Sequence, residues 1–307
     1  MRVAVVDIGS AALALSLATV GDEGAISLLG EWALDTELVP NFDGEGTEKV
    51  LAGLKSFRHI LRMQNPDTHL RAFVTSVLPE GAARDRFLRD AQGILDHKIE
   101  LLTSGEEAAL SFLASHDARA VPDGAAVVTV EIDGTATQIA VGDGIKLEDV
   151  FTLALGASSL TARFLAGVDP TPDAGLALSE HLHDLLNVEP VHQVIAGRPF
   201  HLVAAGPTVT ALAALGAGGA LERTQAHGAT LELEAVFGWY QELLTAPAAT
   251  VAAHLSVPVP RARTLLAGSG ILLFLMEKLG ASEVVISGNA RRHGALREIL
   301  GFERAFL

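Results

Sequence analysis

Residues 127–144 read VVTVEIDGTATQIAVGDG. Val127, Val128, Val130 and Ile132 are β-branched and apolar, which suits a buried strand, and the pattern resumes in TQIAVG after a break. Glu131 closes the first strand, and the break itself, Asp133-Gly134-Thr135, reads as a tight turn. A turn built to hold phosphate wants two or three glycines, so that backbone N–H groups can close on an anion. Here Gly134 stands alone between an acid and a threonine. The stretch is therefore expected as strand, turn, strand, and the turn is either an anion site or an ordinary hairpin.

The same module opens the chain. VAVV at residues 3–6 is a buried-strand run, Asp7 closes it, Gly9-Ser10 turns, and LALSLATV returns. ISLLGEWAL is expected as a third strand. TEKVLAGLKSFRHILRM follows, with Val50, Leu51, Leu54, Phe57, Ile60 and Leu61 at helical spacing. LRAFVTS and KIELL read as strands, ARDRFLRDAQGIL and GEEAALSFLAS as helices. After AVPDGA the pattern restarts with AVVTVEI, TQIAVG and LEDVFTLAL. Helices are then expected in SSLTARFLAG, DAGLALSEHLHDLL, a short piece after AAGPT, LELEAVFGWYQELL and RARTLLAGSGILLFLMEKL. EVVISG is a late strand and RRHGALREIL a closing helix. Alternating strands and helices give an α/β class, and the duplicated core gives two similar lobes, 1–122 and 123–307, with their turns facing a cleft.

The bulk numbers narrow the partners. With 49% hydrophobic and 19% charged residues the chain has ample material for a core. Thirty-seven acidic against 22 basic residues give a formal charge of −15, which repels nucleic acid and anionic membranes. There is no cysteine, so disulfides, thiol nucleophiles and thiolate zinc sites are excluded, and a cytoplasmic location is expected. Neither apolar stretch is expected to span a membrane: 202–221 carries five Gly or Pro residues, and TLLAGSGILLFLM falls short of ~20 residues.

Other patterns carry less. Ser104-x-x-Glu107 spells a helix capping box. His181 and His183 in EHLHD are two apart, so on a helix they point to different faces rather than at one metal. GAGG at 216–219 lacks the Lys-Ser/Thr of a nucleotide P-loop.

Taken together these segments resemble the exopolyphosphatase/guanosine pentaphosphate phosphatase (Ppx/GppA) family of the actin-like ATPase superfamily. VVDIGS resembles its first phosphate loop, and FVTSVLPEGAARDRFL its Thr-Ser-Ala-Leu-Arg segment. IELLTSGEEAALSFLAS resembles its Ser-Gly-x-Glu-Glu helix, and VTVEIDGTATQIAVG its second loop. LALGASSLTARFL, AHGATLELEAV, PRARTLLAGSGILL and EVVISGNARRHGAL follow in family order. The resemblance implies two actin-like, ribonuclease H-like lobes, with the last helix packing back on the first.

It also implies hydrolysis of phosphoanhydrides, such as polyphosphate or guanosine pentaphosphate, with Mg²⁺. Glu107 would be the base, or simply the helix cap. Asp7 and Glu131 would hold Mg²⁺, in part through water, or serve as turn and strand-end carboxylates. Gly9, Ser10, Gly134, Thr137, Gln138, Gly206 and Arg292 would line the phosphate or ligand site, with turn or surface roles as the plain alternative. A phosphorylated small molecule or polyphosphate is the expected partner, and a homodimer the expected assembly.

The departures fall on this machinery. Ala11 replaces the Asn of the first loop, and Pro79 a phosphate-binding arginine. Asp133-Gly134-Thr135 replaces three glycines, Ala136 a serine, Gln138 an acid and Ser159 an arginine. Pro207 removes an N–H donor from the Gly206 loop. A carboxylate about 4 Å from a like charge costs roughly 4 kcal/mol at an effective dielectric of 20. The expected protein is a hydrolase with a depleted phosphate site, weak or altered, or a silent ligand-binding pseudoenzyme.

Overall fold

The computed structural model describes residues 1–10, 12–21, 26–39, 41–64, 68–75, 78–116, 118, 121–122, 124–144, 146–165 and 169–299. Ala11, the expected boundary residue Asp123 and residues 300–307 fall outside them. The chain divides into two compact units. One is residues 1–113 with the closing segment from Arg291, and the other is residues 114–290.

The first unit is built on β1 (Arg2–Ile8), β2 (Ala12–Val20), β3 (Ile26–Asp35), β4 (His69–Val74) and β5 (Glu100–Leu101). Their order is β3-β2-β1-β4-β5. β2 runs antiparallel to β1 and β3, whereas β1, β4 and β5 are parallel. Alternate residues of β1 point to opposite faces, and both faces are covered. Ala4, Val6 and Ile8 pack with Val50, Leu54, Phe57, Phe87 and Leu95 from the helices Glu45–Arg62 and Ala82–Leu95. Val3 and Val5 pack with Leu110 of the helix Ser104–Ser115 and with Ala295 and Leu296 of the closing helix Arg291–Ile299. Burial on both faces is why the first strand reads as an unbroken apolar run.

In the second unit, β6 (Ala126–Ile132), β7 (Thr137–Asp143), β8 (Lys146–Leu153), β9 (Phe200–Ala205), β10 (Thr230–Glu232) and β11 (Glu283–Ser287) lie in the order β10-β11-β9-β6-β7-β8. Without β10 this repeats the first sheet strand for strand: an antiparallel three-strand meander, then two parallel strands beside its first member. That duplicated order is the ribonuclease H-like sheet, twice over, that the resemblance implies. Helix Leu265–Leu279 runs through the core of this unit and is buried nearly all round. With the short helix before it, Val259–Leu279 is long and apolar enough to cross a membrane by length and composition alone, but 67% of it is buried inside the protein.

The structure departs from the sequence expectation at several elements, the helices Glu189–Ile195 and Ala248–Leu255 among them. β9 is a strand that the sequence pattern does not mark, although it is the parallel neighbour of β6. LELEAVFGWYQELL is a strand edge, Thr230–Glu232, followed by the helix Leu233–Leu243. KIELL shrinks to the two-residue β5.

Candidate active site

In open sheets of this kind, ligands gather at the carboxyl ends of parallel strands. In the first unit that edge carries the β1–β2 turn, Thr75 after β4, and the start of the helix after β5. Asp7 lies one residue from the end of β1 and is buried, opposite Ala14 and Phe73. By its place in the strand it shares a face with Val3 and Val5, the face covered by helix Ser104–Ser115. Gly9 N–H donates to the Ala12 carbonyl at 2.9 Å, and a Cβ on Gly9 would come within 3.1 Å of that oxygen. The Ser10 carbonyl accepts from Val39 N–H and the Ile8 carbonyl from Thr75 N–H, so the turn is clamped on both sides. The Thr75 hydroxyl is buried with no hydrogen-bond partner. Sequence reasoning did not single it out, although it lies in the quoted FVTSVL segment.

Glu107 is not the helix cap. Thr103 is the cap: its hydroxyl accepts from Glu106 N–H at 3.2 Å, and the Glu106 carboxylate accepts from Thr103 N–H at 2.9 Å. The capping box is therefore one residue earlier than Ser104-x-x-Glu107. Leu102 N–H is still bonded to the Val74 carbonyl of β4, which makes Thr103 the first residue free to cap. Glu107 turns inward instead, 2% exposed, and its Oε2 lies 3.0 Å from Arg291 Nη1. A carboxylate removed from water needs a charged partner, and Arg291 supplies it.

Arg292, the expected phosphate ligand, goes elsewhere. Its Nε donates to Ser16 Oγ at 2.8 Å and Nη2 lies 3.0 Å from Glu31 Oε1, an oxygen that also meets His293 Nε2 at 2.9 Å. One helical residue is a 100° turn, so neighbours in sequence serve different elements. The structure brings Arg291, not Arg292, to Glu107.

The second unit repeats the turn. Asp133 N–H donates to the Ala136 carbonyl at 2.9 Å, as Gly9 does to Ala12. Glu131 and Gln138 are cross-strand partners, and Glu131 is level with Ala205 of β9. Both are buried, and the Gln138 carboxamide oxygen has no hydrogen-bond partner. Gly206 follows at φ +98°, and a Cβ there would lie 3.7 Å from Glu131 Cγ. Glu131, Gln138 and Gly206 thus come together. The Thr137 hydroxyl is committed to the Leu155 carbonyl at 2.6 Å. Gly134 is drawn onto the next helix: its carbonyl accepts from Ser158 and Ser159 N–H, and the Asp133 carbonyl accepts from Ala157 N–H. The first N–H groups of helix Ala157–Phe164 are spent on the turn itself.

The chain matches the Ppx/GppA phosphatase family over residues 5–303. It belongs to that family. Among solved structures, the Ppx/GppA protein of Aquifex aeolicus superposes with a TM-score of 0.84 at 24% identity, over 99% of both chains. An exopolyphosphatase from Cytophaga hutchinsonii gives 0.82 at 17% identity over 100% of both. An exopolyphosphatase-like protein gives 0.83 at 18% identity, over 98% of this chain and 99% of that one. These likenesses show the fold.

In this Ppx/GppA chain two further histidines, His181 and His227, have plain work. His181 packs on Phe164 at 5.0 Å, and partial burial with Arg163 nearby holds its pKa below the usual value. His227 Nδ1 accepts from Gly288 N–H. No group of three or more His, Asp or Glu that could hold a metal is found among the described residues.

Proposed function

We propose that this Ppx/GppA chain hydrolyses terminal phosphoanhydride bonds slowly, with Glu107 activating the attacking water. The observation that carries the reading is the state of Glu107. The capping task that would explain it belongs to Thr103 and Glu106, yet it is buried and held by an arginine. A general base must be positioned before its proton affinity matters, and Arg291 positions it. The missing arginine and serine donors and the added carboxylate of Asp133 argue for a substrate with fewer negative charges than long polyphosphate, such as the end of a nucleoside polyphosphate. Cytoplasmic action fits a cysteine-free acidic chain.

Mg²⁺ takes one or two carboxylates and fills its octahedron with water and substrate phosphate. Asp7 and Glu131, hard oxygen donors at the carboxyl ends of β1 and β6, fit that demand, each in its own unit. The ion would neutralise charge on the phosphoryl oxygens.

A second reading, binding without turnover, is favoured by the second turn. Its carbonyls occupy the N–H groups of helix Ala157–Phe164, the kind of end that otherwise receives an anion. Phosphate release from polyphosphate, guanosine pentaphosphate and ATP, with Mg²⁺ and with chelator, separates the two. The hydrolase reading expects release from at least one substrate, abolished by chelator. Ligand-induced stabilisation with no release from any of them would establish the binding reading instead.

A further inference from the structure

We propose that the first unit carries a separate ligand site, for a small organic anion, at the end of its sheet opposite the Asp7 turn. A cavity of about 560 Å³ opens there, lined by Arg58, Leu61, Arg62, Leu70, Asp96 and His97 among others. That volume lies within the range of small-molecule pockets. Leu70 is level with Ala4 near the start of β4, whereas Asp7 is level with Phe73 near its end.

The charge of the lining is the reason to expect an anion. The protein as a whole is −15, whereas this lining carries two arginines against one aspartate. Arg58 and Arg62 are four apart on helix Glu45–Arg62, so both project to the same side. Like charges at that spacing destabilise a helix. Arg58 is offset and fixed: Nη1 donates to the Leu95 carbonyl at 2.7 Å and Nη2 to Asp96 Oδ2 at 2.8 Å. Its Nε is buried with no partner. Arg62 is exposed and has no carboxylate partner among the described residues. His97 adds a third basic group to the lining.

Arg62 is the guanidinium that would meet a phosphate or carboxylate, and Arg58, held by Asp96 and the Leu95 carbonyl, fixes the wall beside it. Leu61 and Leu70 give an apolar surface for the body that carries it. The shared chemistry is an anionic head on an apolar frame, and the site needs no hydrolysis to act.

Titration of phenyl phosphate, benzoate and inorganic phosphate into the Mg²⁺-free protein, followed by calorimetry, tests this on wild type, Arg62→Gln and His97→Gln. The expected result is binding of phenyl phosphate or benzoate with a Kd at or below about 1 mM. It should exceed the affinity for inorganic phosphate and weaken about tenfold in Arg62→Gln. Binding by phenyl phosphate alone assigns the head as phosphate; equal binding by benzoate assigns any planar or tetrahedral anion. No binding by wild type overturns the proposal. So does equal affinity in Arg62→Gln, and so does a variant that loses stability while binding unchanged. In that last case Arg62 only offsets the negative end of its helix.

Discussion

Arg291→Ala is expected to lower the unfolding free energy by about 3–5 kcal/mol, the usual effect of stranding a buried charge. Glu107 is 2% exposed and its ion pair with Arg291 spans 3.0 Å, so water cannot easily take the place of the guanidinium. The backbone holds the pair in register. A Cβ on Gly294 would overlap the Leu110 carbonyl, so the closing helix lies directly against helix Ser104–Ser115 at that level. Gly294 is three residues past Arg291 and Leu110 three past Glu107, one turn in each helix. Removing both charges, as Glu107→Gln with Arg291→Met, should recover most of the loss. Urea denaturation of the two single variants and the double gives the coupling directly. Additive losses would mean that the pair contributes nothing as a pair.

Gly156→Ala should be the most damaging small substitution in the second unit. Gly156 has an ordinary extended φ of −127°, so the effect is contact, not backbone preference. A Cβ there would overlap the backbone of Thr135, in the turn between β6 and β7. Backbone cannot rotate aside as a side chain can. The turn must lift, and the bonds from Ala157, Ser158 and Ser159 N–H to its carbonyls go with it. Overpacking typically costs about 1–3 kcal/mol and each lost hydrogen bond about 0.5–1.5 more. A loss of about 3 kcal/mol or greater in urea denaturation is the expected outcome. A change below about 0.5 kcal/mol would mean that the turn is not seated on the helix.

Much of the fold is written in the chain. The two acid-ended strands with tight turns announce themselves because each is buried on both faces, leaving a β-branched run stopped by Asp7 or Glu131. β9 is hidden for the opposite reason. FHLVAA runs through Gly206-Pro207 into an equally apolar helix, so strand and helix merge into one hydrophobic block. The residues of the site were legible as types rather than as contacts. Thr103, Ser104, Glu106 and Glu107 offer two overlapping capping boxes, and only the end of β5 decides between them. Arg291 and Arg292 are adjacent and chemically identical, and only the helix rotation sends one to Glu107 and the other to Glu31. The depleted second turn was visible as missing glycines. That its carbonyls cover the next helix depends on long-range packing which no local pattern records.

The most direct test is phosphate release with Mg²⁺ by wild type and Glu107→Gln side by side, each first shown to be folded by its melting transition. The amide keeps the shape of Glu107 and a hydrogen-bond acceptor for Arg291, but it cannot take a proton. If Glu107 activates water, the wild type releases phosphate and the variant is slower by about 100-fold or more. A variant as fast as the wild type would remove Glu107 from the chemistry.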